Sequence, residues 1–353
     1  MQTSLAFIAA LALSLITTPL VRRFALKVGA VARPNARSVH KVPIPHLGGV
    51  AIYLSSVAAM LISHPIDPTA EIAVIVGGFV ILVVGVLDDI YDLKPWQKGI
   101  GQIVSAGVVI AIGVSISFLT NPFSGALKVL GFLAIPLTIV WVISFENLVN
   151  FSDGLDGLAG GIVVITGTVI VFASYKAGAF GVPPAAAAIV GSVLGFLPYN
   201  FHPASIFMGD AGAMYLGLAL SVLSVQGLVK SAVFMSVLAP LLALMVPISD
   251  TAFSIVRRTL QGQAFFYADH DHFHHRLLEL GLGQRKTVLS IYLVSALGGA
   301  LGLISGFSPI ETGGPIVLVA VLALFIAASR AGLLTVPRKQ GKGHADQSSG
   351  GQR

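Results

Sequence analysis

The stretch Glu71-Ile72-Ala73-Val74-Ile75-Val76-Gly77-Gly78-Phe79-Val80-Ile81-Leu82-Val83-Val84-Gly85-Val86-Leu87-Asp88-Asp89-Ile90-Tyr91-Asp92 decides the fold. From Ile72 to Leu87 it carries no charged or strongly polar side chain. A helix needs about 20 mostly apolar residues to cross a bilayer. In hydrocarbon each backbone group must bond within its own segment, so such a run is helical. The run then stops on three carboxylates, Asp88, Asp89 and Asp92. A carboxylate beside hydrocarbon is costly and usually functional. This one stretch therefore predicts a membrane-spanning helix with a chemical site at its end.

Similar apolar runs fall near residues 3–20, 48–63, 99–119, 128–145, 159–175, 183–199, 211–228, 232–256, 287–306 and 315–331. With 71–87 they make eleven spans, and the expected fold class is an all-α polytopic membrane bundle. Composition agrees: 55% of residues are hydrophobic and 10% charged, against roughly 25% charged in soluble domains. Cysteine is absent, which excludes disulfides, thiolate nucleophiles and Cys-ligated metal sites. In residues 2–20 the positive charge, Arg22 and Arg23, follows the apolar run. A cleavable leader places it before, so this segment is expected to be a first membrane helix.

With the N-terminus outside, eighteen of the twenty-one Lys and Arg residues fall in inside loops, and Lys128, Lys176 and Lys230 fall outside. Such asymmetry orients a membrane protein with its basic loops in the cytoplasm. The net charge of +6 thus marks topology and contact with anionic lipid head groups, and no nucleic-acid partner is expected. Residues 1–331 are expected to form a single catalytic membrane domain. Residues 332–353, polar and without periodicity, are expected to be a disordered cytoplasmic tail.

Twelve of the fifteen acidic residues lie at the inner side, and four polar clusters gather there. Asp88, Asp89 and Asp92 form the first; Asp88 and Asp92 share a face if the helix continues, and adjacent carboxylates resist ionising together or recruit a cation. Lys94 and Lys98 follow them, which leaves a solvated helix end as the bland alternative. The second cluster lies in Glu146-Asn147-Leu148-Val149-Asn150-Phe151-Ser152-Asp153-Gly154-Leu155-Asp156-Gly157-Leu158-Ala159-Gly160-Gly161. Asn147, Asn150, Asp153 and Asp156 recur every third position and would form one stripe of hard oxygen donors on a helical end. Such donors suit Mg²⁺, and an EF-hand is excluded because no bidentate Glu follows at the required offset.

The third cluster is Tyr199-Asn200-Phe201-His202-Pro203 followed by Phe207-Met208-Gly209-Asp210-Ala211-Gly212. Asp210 could cap the next helix or, ionised at its N-terminus, hold a metal. Asn200 and Phe207 offer an amide and a ring face for a nucleobase. The fourth is Ala268-Asp269-His270-Asp271-His272-Phe273-His274-His275-Arg276-Leu277. Its histidines, with Arg276, Arg257 and Arg258, suit an anion clamp; a His/Asp zinc site stays open as an alternative. A weaker basic feature runs from Arg33 through Lys41 to His46, Gly48 and Gly49. Asp250 could be a structural polar contact inside its span.

Five strings in this order resemble the polyprenyl-phosphate N-acetylhexosamine-1-phosphate transferase superfamily, glycosyltransferase family 4. They are Pro45-His46-Leu47-Gly48-Gly49, Leu87-Asp88-Asp89, Asn150 to Ala159, Phe207 to Gly212, and His272-Phe273-His274-His275-Arg276-Leu277-Leu278. The resemblance is strongest to the WecA/TagO branch. The peptidoglycan-precursor branch usually carries Pro-Thr-Met-Gly-Gly and three consecutive histidines, from which this chain departs at His46, Leu47 and Phe273.

The resemblance implies transfer of N-acetylhexosamine-1-phosphate, GlcNAc-1-phosphate first among candidates, from a UDP-sugar to undecaprenyl phosphate, with release of UMP. It implies Mg²⁺, with Mn²⁺ able to substitute, held by Asp210, Asn150 and Asp153. Asp88, Asp89, Asp153 and Asp156 would be catalytic. Asn150, Asn200, Phe207, His272, His274, His275, Arg276 and Lys41 would bind substrate. It further implies a multi-pass protein of the bacterial inner membrane with a cytoplasmic active site, and admits a homodimer. The rivals are the same chemistry on another UDP-sugar or on the UDP-MurNAc-pentapeptide precursor, and a secondary transporter. Transporter sites lie near the bilayer midplane, whereas these clusters sit at one surface.

Overall fold

The structure, a computed structural model, describes residues 1–32, 43–63, 67–120, 127–228, 238–260, 276–278, 281–308 and 310–330. Its helices are α1 (Gln2–Val28), α2 (Gly48–Ser63), α3 (Thr69–Tyr91), α4 (Pro95–Ala111), α5 (Ala134–Ser152), α6 (Leu158–Lys176), α7 (Val182–Asn200), α8 (Gly209–Leu228), α9 (Leu238–Ala243), α10 (Met245–Leu260), α11 (Gln284–Gly306) and α12 (Ile310–Arg330). Two short antiparallel pairs accompany them, β1 (Val31–Ala32) with β2 (Ile44–Pro45), and β3 (Phe118–Thr120) with β4 (Leu127–Val129). Among the described residues, six helical stretches are long and apolar enough to cross a membrane: α1, α3, Gly131–Ser152, α6, α7 and α11. The chain is a multi-pass helical protein, a coarser statement than the eleven spans expected.

Several expected boundaries move. The run 99–119 is helical only to Ala111, because Gly113 turns the chain at φ 106 and β3 follows. The run 128–145 begins in β4, and α5 starts at Ala134. The described part of 232–256 is two helices separated at Leu244. A hydropathy average does not mark the breaks at Gly113 and Leu244, since neither residue is charged.

Helix α8 is the axis of the bundle. It is apolar on all sides, as a helix without a solvent face must be, and every residue from Ala211 to Gly227 is buried. It packs against α2, α3, α5, α6 and α7. Small residues let the backbones approach: Gly49 meets Gly212, Gly85 meets Ala211, and Gly217 meets the backbone of Glu146. Between membrane helices, close van der Waals packing of this kind replaces the hydrophobic driving force. Pro19, inside α1, cannot bond the carbonyl of Leu15. The hydroxyl of Tyr199 on α7 donates to that carbonyl at 3.0 Å, which ties α1 to α7 and fills the gap in the ladder.

At one end of the bundle α3, α5 and α7 finish and α4, α6 and α8 begin. Asp92 takes φ 52, and its N–H still reaches Asp88 O at 2.8 Å. The helix therefore ends at Tyr91, so Asp88 and Asp92 do not continue one helical face. Leu93 N–H then bonds Asp88 Oδ1 at 2.9 Å, and Pro95 opens α4 antiparallel to α3. Backbone bonds lace the β2 segment to the start of α8: Phe207 N–H to Pro45 O at 2.8 Å, Gly48 N–H to Phe207 O at 3.0 Å, and Gly49 N–H to Met208 O at 2.8 Å. Two distant sequence strings are thereby fixed side by side.

Candidate active site

Lys98, on the first turn of α4, lies between two carboxylates. Its ammonium donates to Asp88 Oδ2 at 2.8 Å and to Asp210 Oδ2. Asp88 comes from α3 and Asp210 from α8, so three helix ends converge on one ion cluster. Side-chain exposure is 10% for Asp88, 21% for Lys98 and 36% for Asp210; the cluster opens outward on the Asp210 side.

Asp89 has a different position from its neighbour. Its Oδ1 accepts the N–H of Asp210 at 2.9 Å and its Oδ2 that of Ala211 at 3.3 Å. The capping carboxylate of α8 is thus supplied by α3, where it meets the helix's first free N–H groups and its positive end. The capping role considered for Asp210 falls to Asp89, and Asp210 is left to face Lys98. Gly209 makes this possible: it sits at φ 74, and a Cβ there would strike the His46 carbonyl and the Asp89 carboxylate. His46 Nε2 lies 2.9 Å from Asp89 O. A carbonyl only accepts, so Nε2 carries the hydrogen and the buried Nδ1, which has no hydrogen-bond partner, is the bare nitrogen. Burial lowers the His46 pKa, against the opposing pull of Asp89 O and the Asp210 charge.

The second expected cluster divides. α5 ends at Ser152, so Asn147 and Asn150 are helical while Asp153 and Asp156 lie in the following turn. The regular stripe of donors is broken there. Asn150 lies beside the Asp210 carboxylate, and its buried Nδ2 makes no hydrogen bond of normal geometry. Asp153 is within electrostatic reach of Asp210 and Asp156. Burial, then those two charges, raise its pKa to about 7. Asp156 instead holds the loop after α7: its Oδ2 lies 2.7 Å from His202 Nδ1 and accepts the Ala204 N–H at 3.2 Å.

Asn200 is 2% exposed, and its amide is engaged on both sides. Oδ1 accepts Gly157 N–H at 3.1 Å and Nδ2 donates to Ile206 O at 3.0 Å. It fastens the Asp153–Gly157 turn to the 201–208 loop, with one N–H and one acceptor site of the amide left over. Phe207 is half-buried at the same edge. Arg276 lies in a helical turn at 276–278 and is half-buried. Lys41, His272, His274 and His275, and the expected tail, lie outside the described residues. Beside Ser152 a small recess, with a cavity volume of only about 20 Å³, is lined by Leu158, Ile162, Val246, Ile291 and Asp250.

Among the described residues no three His, Asp or Glu side chains gather as a ready metal cage. The cluster mixes oxygen donors with one ammonium. Lys98 is the residue that sequence reasoning missed. It reads as a solubilising charge after an acidic helix end, and its spacing of ten residues from Asp88 follows no helical period. A faint clue lies in Pro95, which starts a new helix and so turns Lys98 back toward the acids.

Glycosyl transferase family 4 matches residues 72–228, which contain Asp88, Asp153, Asp156 and Asp210. The chain is 39% identical over 329 residues to a probable undecaprenyl-phosphate N-acetylglucosaminyl 1-phosphate transferase of Bacillus subtilis, covering 93% of this chain and 92% of that protein. It is 37% identical to a decaprenyl-phosphate N-acetylglucosaminephosphotransferase of Mycobacterium tuberculosis, over 86% of this chain and 84% of the other. A phospho-N-acetylmuramoyl-pentapeptide-transferase of Lactobacillus gasseri is 31% identical over 86% of this chain and 99% of its own. With a relative this similar along nearly its whole length, and with the family's acidic strings converging at one end of the bundle, the chain belongs to glycosyl transferase family 4.

Proposed function

We propose that this enzyme transfers GlcNAc-1-phosphate from UDP-GlcNAc to a polyprenyl phosphate, undecaprenyl phosphate by preference, at the cytoplasmic face of the bacterial inner membrane. The observation that carries the reading is the convergence of Asp88, Lys98 and Asp210, with Asn150 and Asp153 beside them. An oxygen of the lipid phosphate would form the new bond to the β-phosphorus of the nucleotide sugar. The bond from that phosphorus to the bridging oxygen would break, and UMP would leave. Phosphoryl transfer of this kind asks for positioning and charge neutralisation more than covalent help.

The residues fit a magnesium ion. Mg²⁺ takes one or two carboxylates together with substrate phosphates and waters, so the lack of a three-residue cage is no obstacle. Asp210 would hold it, with Asp153 and the Oδ1 of the Asn150 carboxamide, whose buried Nδ2 would be left to donate to a phosphate oxygen. The bound ion would neutralise charge on the diphosphate oxygens. Lys98 is a fixed cation for the incoming phosphate, and Asp88 orients that ammonium through its 2.8 Å bond. Asp89 keeps α8, and hence Asp210, in register by capping.

The cytoplasmic placement is supported by the Lys and Arg asymmetry, since a nucleotide sugar is reached only from that side. A second reading, the same transfer from a muramyl-peptide nucleotide, draws on the relative of that name at 31% identity. The experiment uses purified protein in detergent with Mg²⁺, undecaprenyl phosphate and a panel of UDP-sugars. UMP released from UDP-GlcNAc, dependent on lipid and abolished by chelation, is the expected result. Release from the muramyl-peptide nucleotide alone would transfer the assignment. Solute uptake by proteoliposomes without UMP formation would refute it.

A further inference from the structure

Between α4 and α5 a series of polar contacts runs from the ion cluster into the apolar core. Lys98 stands at its top. One turn deeper on α4, Gln102 Nε2 donates to Asn147 Oδ1 on α5 at 3.3 Å, and Gln102 is 4% exposed. One turn deeper again, Ser105 Oγ lies 3.0 Å from Oε1 of Glu146, and both residues are fully buried. Glu146 is on α5 one turn before Asn150, the neighbour of Asp210. None of the roles assigned above uses Glu146.

The contacts of Ser105 bear on the state of that carboxyl. Its Oγ also lies 2.8 Å from the carbonyl of Gln102. A hydroxyl has one hydrogen, and a carbonyl cannot donate. Both contacts are full two-centre hydrogen bonds when Ser105 gives its hydrogen to Gln102 O and Glu146 donates to Ser105 Oγ; with Ser105 as donor to Glu146 Oε1, its one hydrogen is shared between two acceptors. In the first arrangement Glu146 is a neutral carboxylic acid. Its other oxygen, Oε2, is buried with no partner, a tolerable state for a carbonyl-type acceptor and a costly one for an anion.

We propose that protonated Glu146 is a positioning residue: it locks α4 to α5 and so sets Lys98 between Asp88 and Asp210 and Asn150 beside Asp210. Three features converge on this. Polar pairs are the contacts that hold membrane helices in one register. Gly217 of α8 packs on the backbone of Glu146, so α5 has no room to slide at this level. And α4, with 17 residues, is short, so its placement depends on its neighbours more than on its own span.

The proposal rests on the transferase reading, and its test separates the two. Full-length wild type, Glu146→Gln, Glu146→Ala and Ser105→Ala are purified and assayed for UMP release. Glutamine keeps a neutral side chain with a donor for Ser105, and it should retain kcat and both KM values within about twofold. The alanine variants should lose at least about tenfold in kcat with little change in KM, since an ångström of misplacement can cost about a hundredfold. If Glu146→Ala does not fold, Ser105→Ala carries that arm. An infrared difference spectrum, wild type minus Glu146→Gln at neutral pH, should show the carbonyl band of a protonated carboxylic acid. A glutamine variant as impaired as alanine, alanine variants with wild-type kcat, or no acid band would each overturn the proposal. The infrared band needs no turnover, and wild-type UMP release is read separately, so failure of the transferase reading is recognised on its own.

Discussion

Replacing Lys98 by methionine removes the one ammonium that Asp88 and Asp210 share while keeping most of the side chain's volume. Two oxygens sharing a hydrogen-bond donor lie within roughly 6 Å of each other, about twice the usual bond length. Unit charges at that distance repel by about 3 kcal/mol at an effective dielectric near 20. Asp210 is 36% exposed, and solvent screens part of this. A loss of about 1–3 kcal/mol of folding stability is therefore expected in chelator, as a lower melting temperature. Asp88→Asn in the Lys98→Met background relieves the repulsion and should recover most of that stability. Activity should not recover: removing a preorganised charge costs roughly a hundredfold or more in kcat. The assay pairs melting in detergent, with EDTA or Mg²⁺, with UMP release from UDP-GlcNAc and undecaprenyl phosphate. Lys98→Met with near-normal kcat, or a double variant no more stable than the single one, would refute the reasoning.

Asp210→Asn should abolish transfer while leaving the fold intact, because the α8 cap comes from Asp89; residual turnover above a few per cent would contradict its role. Asn200→Ala should strand the Gly157 N–H and the Ile206 carbonyl and lower stability by about 2–6 kcal/mol at roughly 1–3 kcal/mol per orphaned group. A raised KM for the nucleotide with unchanged melting would instead restore the base-contact role. Asp153, with its pKa raised to about 7, must lose a proton to ligate a cation. Apparent Mg²⁺ affinity should therefore weaken by up to about tenfold per pH unit below 7 and level off above it, as one-proton linkage requires. Titration of Mg²⁺-dependent activity between pH 5.5 and 8.5, compared with a flat profile in Asp153→Asn, tests this.

Much of this molecule is legible in its chain. A run such as Ile72–Leu87 has one stable conformation in a bilayer, so helix identity follows from local composition. The acids at its end mark a site because charge beside hydrocarbon is too costly to be kept without use. Period and polarity also singled out Asn150, Asp153 and Asp210 as candidates, since Asn150 and Asp153 stand where an apolar run stops and Asp210 where one starts. What composition could not supply is which of neighbouring polar groups face one another. Asp88 and Asp89 are adjacent and chemically alike, yet one meets Lys98 and the other caps α8. Asn200 looks like a free recognition amide, and in the fold its amide also ties two loops together.

These distinctions depend on how helices from distant parts of the chain meet. Gly49, Gly85 and Gly212 bring α2 and α3 against α8, and that close approach directs the Asp89 carboxylate onto the first free N–H groups of α8. Pro95 and the φ of Asp92 reverse the chain and carry Lys98 back to Asp88. A bilayer rewards every apolar helix alike, so local sequence decides that helices form and roughly where they end. Their mutual rotation is settled by backbone contact and by hydrogen bonds between side chains far apart in sequence, and it is that rotation which sorts identical carboxylates into different roles.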